Sequence, residues 1–170
     1  MKRSELEEIL KNHEHWVKED CEGWQHMRAN LNGADLSGAD LSKATLKGAD
    51  LRDANLSEAD LHEADLKWAN FRDANLSGAD LRGTNLKGAN LGMTNLIDAD
   101  FTEANLGMTN LRGADLRDAK LRRANFCVAD LIGANFIGAD LNGADLRDAI
   151  LDGVDLSGAK NVPKNISRGK

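Results

Sequence analysis

ANLNGADLSGADLSKATLKGADL, residues 29–51, opens a stretch in which the pattern Ala-(Asp/Asn)-Leu-x-x continues to residue 160. Leu or Phe occupies every fifth position from Leu31 to Leu156, through 26 consecutive pentads without an insertion. A period of five is neither the 3.6 residues of an α-helix nor the two of a regular strand. The pattern therefore predicts a repeat architecture rather than a globular core.

Each pentad is predicted to form one short extended side and one corner. In an extended segment residues two apart point the same way, so Ala34 and Leu36 face inward while Asp35 faces outward. Ser37 and Gly38 are suited to a bend. Sides that always turn in the same sense coil around an axis, and the Leu and Phe side chains fill the lumen. The core repeat centres include Leu31, Leu36, Leu41, Leu46, Leu51, Phe71, Phe101, Phe126 and Phe136.

The outward positions indicate how many pentads close one coil. Lys47, Lys67 and Lys87 recur at intervals of 20 residues, as do the serines at positions 37, 57 and 77. This second period predicts four pentads per coil. The 132 residues from 29 to 160 then make about 6.6 coils.

The run A(D/N)LxxA(D/N)Lxx resembles the pentapeptide-repeat family over residues 29–160. The resemblance implies an all-β solenoid, specifically a right-handed quadrilateral β-helix. Departures from the pattern leave its phase intact. They are Thr84, Thr94, Thr109 and Val154 in place of Ala, and Thr45, Lys120, Ile150 and Lys160 in place of Asp or Asn.

Residues 1–28 are predicted to form a helical cap over the first coil, since an open solenoid end exposes core and strand edges. A helix is predicted from residue 4 to residue 20, with Ser4 and Glu7 as a capping box and Gly23 as a breaker before Trp24. An apolar stripe at helical spacing would face the coil. It consists of Leu6, Ile9, Leu10, His13, Trp16 and Val17. The alternative is an amphipathic helix that binds a partner.

Residues 161–170 form a polar, basic C-terminal tail in which Pro163 cannot continue a backbone ladder. Two arrangements remain open. Either the tail folds over the last coil, or a second subunit covers that end.

The composition limits the classes of partner. The formal net charge is −6 and no basic stripe is present, so direct nucleic-acid binding is not expected. We find no apolar stretch for a membrane helix and no apolar segment typical of a signal peptide. Cys21 and Cys127 lie far apart, as expected for unpaired thiols. We expect a cytoplasmic protein.

No catalytic, cofactor or metal site is predicted. His13 and His15 are two residues apart and would project about 200° apart around a helix, which does not suit a shared metal. Cys21 and His26 do not complete a recognisable ligand spacing. We expect His13 to be half-buried and His15 to be solvated. His62 stands alone at an outward position beside Glu63, with no nucleophile in view. The chain is not expected to be an enzyme.

Some members of the family that the chain resembles mimic duplex DNA and modulate type II topoisomerases, by gyrase inhibition or quinolone protection. A mimic requires a continuous negative field. The two corner positions of the pentads carry nine acidic and 12 basic residues, so the outer shell is near neutral. The array also lacks loop insertions. DNA mimicry is therefore the alternative function.

Apolar residues at outward positions indicate an interaction surface, because soluble monomers seldom display large apolar patches. The alternative is a set of unrelated surface hydrophobic residues. The candidate interface residues are Trp68, Met93, Ile97, Met108, Cys127, Val128, Ile132 and Ile137, with Ile150 as a further exposed position. All except Trp68 lie beyond residue 90. The leading prediction is a rigid β-solenoid that contacts a protein partner, most simply a second copy of the chain in a homodimer.

Overall fold

The computed structural model describes residues 1–19 and 26–164. Helix α1 (Arg3–Lys18) precedes the repeat. The repeat contains isolated parallel β-bridges, which begin with Asn30↔Asp50 and continue at every fifth residue to Asp140↔Lys160. Every bridge joins two residues 20 positions apart. One coil therefore takes four pentads, as the spacing of the lysines predicts.

The backbone hydrogen bonds follow from this register. Leu31 N–H donates to the Asp50 carbonyl at 2.7 Å, and Asp50 N–H donates to the Ala29 carbonyl at 3.0 Å. A turn closes each corner, for example by the bond from Ala34 N–H to the Leu31 carbonyl at 3.1 Å. The second corner residue of every pentad, from Gly33 to Gly158, has a positive φ. A positive φ at the third residue alone is the signature of a type II turn.

The Asp or Asn of each pentad has a structural role in the coil. Its Oδ1 accepts the N–H of the residue two positions on, as Asp35 does from Ser37 at 3.2 Å and Asn55 from Ser57 at 3.2 Å. This contact is an Asx-turn, which either residue type makes. Asparagines also join the coils, because Asn75 Nδ2 donates to Asn55 Oδ1 at 3.1 Å.

The lumen is filled as predicted. Leu and Phe centres from Leu31 to Leu141 are at most 3% exposed, and the exposed fraction rises to 8% at Leu146 and Leu151. Threonine replaces the inward Ala where its hydroxyl finds a carbonyl. Thr94 Oγ1 donates to the Phe71 carbonyl at 3.0 Å, and Thr84 Oγ1 donates to the Leu81 carbonyl at 2.7 Å.

The coil has four faces, which we number by their first centres. Face 1 begins with the centre Leu31, face 2 with Leu36, face 3 with Leu41 and face 4 with Leu46; each continues at intervals of 20 residues. Between the centres of successive faces lie the two corner residues, followed by the Ala and the Asp or Asn of the next pentad.

Helix α1 begins one residue earlier than predicted. Lys2 is the N-cap and makes no side-chain capping bond, so the predicted capping box of Ser4 and Glu7 is wrong. Glu7 instead pairs with Arg3 at 3.0 Å. The Met1 ammonium donates to the Asp35 carbonyl at 3.1 Å, which ties the chain start to the first coil. The helix ends at Lys18 rather than residue 20, while Gly23 and Trp24 lie outside the described residues.

The apolar side of α1 packs on the first coil. Leu6, Ile9 and Leu10 are half-buried against the core, and Val17 is also half-buried. His13 is fully buried, not half-buried as predicted, because its Nδ1 accepts the Ala29 N–H at 3.0 Å inside this contact.

The His13 ring stacks on Trp16, with ring centroids 5.2 Å apart. Burial lowers the pKa of His13, while the Lys47 backbone acts weakly in the opposite direction. His15 is half-buried rather than solvated.

At the other end, the first residues of the tail contact the last coil. Val162 packs against the core, Pro163 is half-buried, and Asn161 Nδ2 donates to Asp140 Oδ1 at 2.8 Å. This agrees with the first of the two predicted arrangements as far as residue 164. Residues 165–170 lie outside the described part of the chain. Leu156, the last centre, remains half-buried.

Candidate interaction surface

The 20-residue register sorts the predicted interface residues by face. Trp68, Met108 and Val128 occupy one corner, between face 4 and face 1, on coils whose order is 68, 88, 108 and 128. We call these three residues the corner ridge. They are 53%, 51% and 56% exposed. Position 88 is Gly, and the Trp68 ring covers it, since a Cβ on Gly88 would overlap ring atom Cζ3. The ridge is therefore continuous.

Met93 and Ile132 lie near the opposite corner of face 1. Met93 is 60% exposed and its Sδ covers Gly113, where a Cβ would lie 2.6 Å away. Between the two rims run outward amides, of which Asn110 Nδ2 donates to Asn90 Oδ1 at 3.0 Å. Face 1 thus presents a polar amide floor between two apolar rims.

The remaining candidates lie elsewhere on the solenoid. Ile97 and Ile137 are outward residues of face 2, and Cys127 belongs to face 4. Ile150 is 47% exposed in the Asp/Asn row of face 1. The sequence treated the apolar residues as one set, whereas the register gathers five of the eight predicted residues around face 1.

Backbone conformation sets the corner ridge apart from ordinary exposed hydrophobic residues. Val128 has φ +61°, Met108 +60° and Trp68 +59°, in the left-handed region. This conformation costs about 1–2 kcal/mol for a residue other than Gly, and β-branched Val is especially unsuited to it. Gly fills the same pentad position 12 times among 26. That preference was a sequence signal that could have singled out Val128.

A small cleft adjoins the ridge on face 4. It measures about 250 Å³ and lies where Gly107 separates Lys87 from Cys127. The Cys127 thiol donates to Asp145 Oδ2 at 3.1 Å. Burial, followed by the hydrogen bond to Asp145, raises the pKa of Cys127. The thiol is thus held neutral, and Cys127 forms no disulfide with any residue in the described ranges.

Most carboxylates of the Asp row are neutralised by nearby cations. Eight of the 12 row aspartates pair with an Arg or Lys side chain. Arg147, for example, binds both oxygens of Asp145, and this hydrogen bonding holds the pKa of Asp145 well below its usual range. The outward acidic row therefore produces no continuous negative field.

His62 is not alone, contrary to the sequence interpretation. Its Nδ1 lies 2.7 Å from Asp60 Oδ1, and Asp80 follows Asp60 on the next coil of face 3. Ligand atoms of these three residues all lie within 4.8 Å of one another. Sequence spacing of two and 18 residues hid a cluster that the 20-residue register creates.

In the part of the chain that the structure describes, no helix has the length and apolar character needed to span a bilayer.

A family model described as pentapeptide repeats matches the chain in eight copies. The matches cover residues 29–67, 64–102, 79–118, 94–131, 109–148 and 129–160. No curated protein matches the chain.

Several solved structures are similar to the chain. A pentapeptide-repeat protein from the Arabidopsis thaliana thylakoid lumen is 34% identical; the match covers 63% of this chain and 68% of that one, with a TM-score of 0.41. HetL, involved in heterocyst differentiation regulation in the cyanobacterium Nostoc sp. strain PCC 7120, is 32% identical, with coverages of 79% and 81% and a TM-score of 0.40. QnrB1, a plasmid-mediated fluoroquinolone resistance protein, is 25% identical, with coverages of 78% and 84% and a TM-score of 0.42.

Proposed function

Since the chain belongs to the pentapeptide-repeat family, we propose that it is a non-enzymatic, rigid β-solenoid whose flat faces bind a protein partner. The proposal includes a right-handed quadrilateral coil of about 6.6 turns over residues 29–160. It also assigns residues 1–28 as an N-terminal cap and residues 161–170 as a C-terminal tail.

The corner ridge carries this proposal. Trp68, Met108 and Val128 place large apolar side chains in solvent, at backbone positions that favour Gly. They contribute little to the lumen, so the fold gains little that would offset their backbone cost. Burial against a partner would supply the missing stabilisation.

The partner that we propose is a second copy of the chain. The C-terminal half contains most of the exposed apolar positions, and its end is the less covered one. Leu151 is 8% exposed and Leu156 is half-buried, whereas Leu31 beneath α1 is 1% exposed. An interface that includes face 1 beyond residue 90 would cover both features.

Light scattering tests the homodimer. We expect a dimer mass for the wild type and a monomer mass for the double variant Met108→Asp/Val128→Asp. A charge-matched control, Ser57→Asp/Ser77→Asp, places two new carboxylates on face 2 and should retain the dimer. Identical monomer masses for the wild type and the Met108/Val128 variant would overturn the homodimer.

The family resemblance also raises the alternative of a DNA-mimic modulator of a type II topoisomerase. Paired charges along the Asp row weigh against it, because a mimic must present uncompensated negative charge. A supercoiling assay with purified gyrase separates the two functions. Inhibition or quinolone protection by the wild type would favour the alternative over the solenoid scaffold.

We propose a cytoplasmic location and no direct contact with nucleic acid or membrane. The net charge of −6 and the unpaired Cys127 thiol support these assignments. The proposal includes no cofactor, because the lumen is filled by Leu and Phe side chains and the cleft beside Cys127 contains a thiol held neutral.

A further inference from the structure

Three potential metal ligands converge on face 3, on the side of the coil opposite to face 1. Asp60 and His62 flank the inward Leu61 and therefore point outward together. The bridge Asp60↔Asp80 places Asp80 directly on the next coil. His62 Nδ1 lies 2.7 Å from Asp60 Oδ1, and the ligand atoms of Asp60, His62 and Asp80 are within 4.8 Å of one another. All three residues are half-buried.

His62 differs chemically from the residues at equivalent positions. Where the row residue is Asp, the residue two positions on is often Arg, which binds that carboxylate through two nitrogens. The pairs are Asp50–Arg52, Asp80–Arg82, Asp115–Arg117 and Asp145–Arg147. A guanidinium has only donors, whereas an imidazole offers a nitrogen lone pair. At this one pentad the permanent cation is replaced by a metal-ligating group.

The charge pattern of face 3 also favours a cation here. Asp occupies the outward row on four consecutive coils, at 40, 60, 80 and 100, whereas Asn separates the aspartates of the other faces. Carboxylates on successive coils lie about 4.8 Å apart, close enough to repel. Arg82 compensates Asp80 and Lys120 compensates Asp100. Asp60, between two other carboxylates, has an imidazole as its neighbour instead of an Arg or Lys.

We propose that Asp60, His62 and Asp80 bind a divalent transition-metal cation of the Zn²⁺ type. One imidazole nitrogen with two carboxylate oxygens is a donor set that suits Zn²⁺ better than the hard cations Mg²⁺ and Ca²⁺. Three protein ligands leave at least one position for water or for a side chain of a bound protein.

Arg82 is the competitor for this site. Its Nε donates to Asp80 Oδ1 at 2.8 Å, but the side chain is 58% exposed and free to rotate into solvent. Metal binding therefore displaces a solvent-accessible ion pair, which is of low energy. Removing the guanidinium should accordingly tighten the site, whereas an ordinary ion-pair cluster without metal affinity would gain no ligand.

Calorimetric titration of the untagged full chain with Zn²⁺ tests the site. We expect one equivalent of Zn²⁺ to bind the wild type and His62→Gln to weaken binding by about tenfold or more. His26→Gln, which removes an exposed histidine outside the cluster, should bind as the wild type does. Arg82→Gln should bind about two- to fivefold more tightly.

Two further measurements keep the result unambiguous. The metal-free melting temperature of His62→Gln should remain close to that of the wild type, which shows that lost binding reflects a lost ligand. A tenfold excess of Mg²⁺ should leave Zn²⁺ binding intact. The proposal is overturned if the wild type takes up no Zn²⁺, if His62→Gln binds equally well, or if Mg²⁺ displaces Zn²⁺.

Discussion

The Trp68 indole lies in the space that a side chain at Gly88 would occupy on the next coil. Gly88 also has φ +70°. We expect Gly88→Ala to destabilise the fold through both effects, because the new Cβ strains the backbone and displaces the ring. The free energy of unfolding, measured by urea denaturation, should fall by more than the roughly 1 kcal/mol typical of an Ala in this conformation.

Gly133→Ala provides the matched control. Gly133 has φ +67°, but a Cβ added there would meet no heavy atom within 4 Å, so only the backbone cost applies. In a Trp68→Ala background, Gly88→Ala should cost no more than Gly133→Ala. Equal costs for the two glycine substitutions in the wild-type background would show that the indole is not held over Gly88.

Val128→Asn should stabilise the monomer and weaken self-association. Asn tolerates the left-handed region that β-branched Val resists, so we expect a gain of about 1 kcal/mol. Asp148→Asn, at an equivalent corner with φ +58°, should change stability little. Denaturation at low protein concentration avoids linkage to dimerisation, and light scattering reports association. A less stable Val128→Asn monomer would contradict the strain at this corner.

Leu86→Asp should be far more damaging than Lys87→Asp. Leu86 is 0% exposed in the lumen, so its replacement buries an unpaired carboxylate and should cost more than about 4 kcal/mol. Lys87 is exposed, and its substitution should change stability by about 0.5 kcal/mol or less. Thermal melting followed by circular dichroism measures both. Comparable melting shifts would refute the inward and outward assignment.

Acidification should weaken the contact between α1 and the first coil through His13. Burial lowers the pKa of His13 from its ordinary 6.5, so the unfolded chain takes up a proton first as the pH falls. The stabilisation by neutral His13 is complete above pH 6.5 and is lost as the pH decreases towards the lowered pKa. We expect a fall in melting temperature between about pH 7.5 and about pH 5.

His13→Asn isolates this effect. Its side-chain oxygen retains an acceptor for the Ala29 N–H but does not titrate. The variant should be less stable at neutral pH and should lose less stability over the same pH interval. Carboxylates such as Asp35, whose pKa is lowered by Ser37, lose their stabilising contribution only below their ordinary 3.8 and do not interfere. Parallel pH curves for both chains would exclude His13 as the titrating group.

The parts of the structure that sequence predicted well are those that repeat. The inward Leu86, the outward Asn85 and the corner at Lys87 follow from a local pattern that 26 pentads state again and again. The helix start was predicted less well, because Ser4 and Glu7 form a plausible local cap. A long-range bond from the Met1 ammonium to the Asp35 carbonyl instead anchors the chain one residue earlier.

The candidate sites depend on contacts between coils, which a local pattern does not display. His62 looked isolated because its neighbour Asp80 is 18 residues away, and only the register makes them adjacent. In the same way, Trp68 and Met108 looked separated by Gly88, although the indole spans that gap. Applying the 20-residue period to every outward residue, rather than to lysines and serines alone, would have identified the cluster.

The bridges between residues 20 positions apart also determine how this chain could change in length. Deletion of one pentad would leave the lumen in phase, because every Leu or Phe centre would still point inward. It would, however, carry each downstream outward residue onto the neighbouring face, and would separate the two halves of any site built across coils. Deletion of four pentads restores both alignments. Inheritable changes in length are thus neutral for folding in steps of five residues but neutral for recognition only in steps of 20.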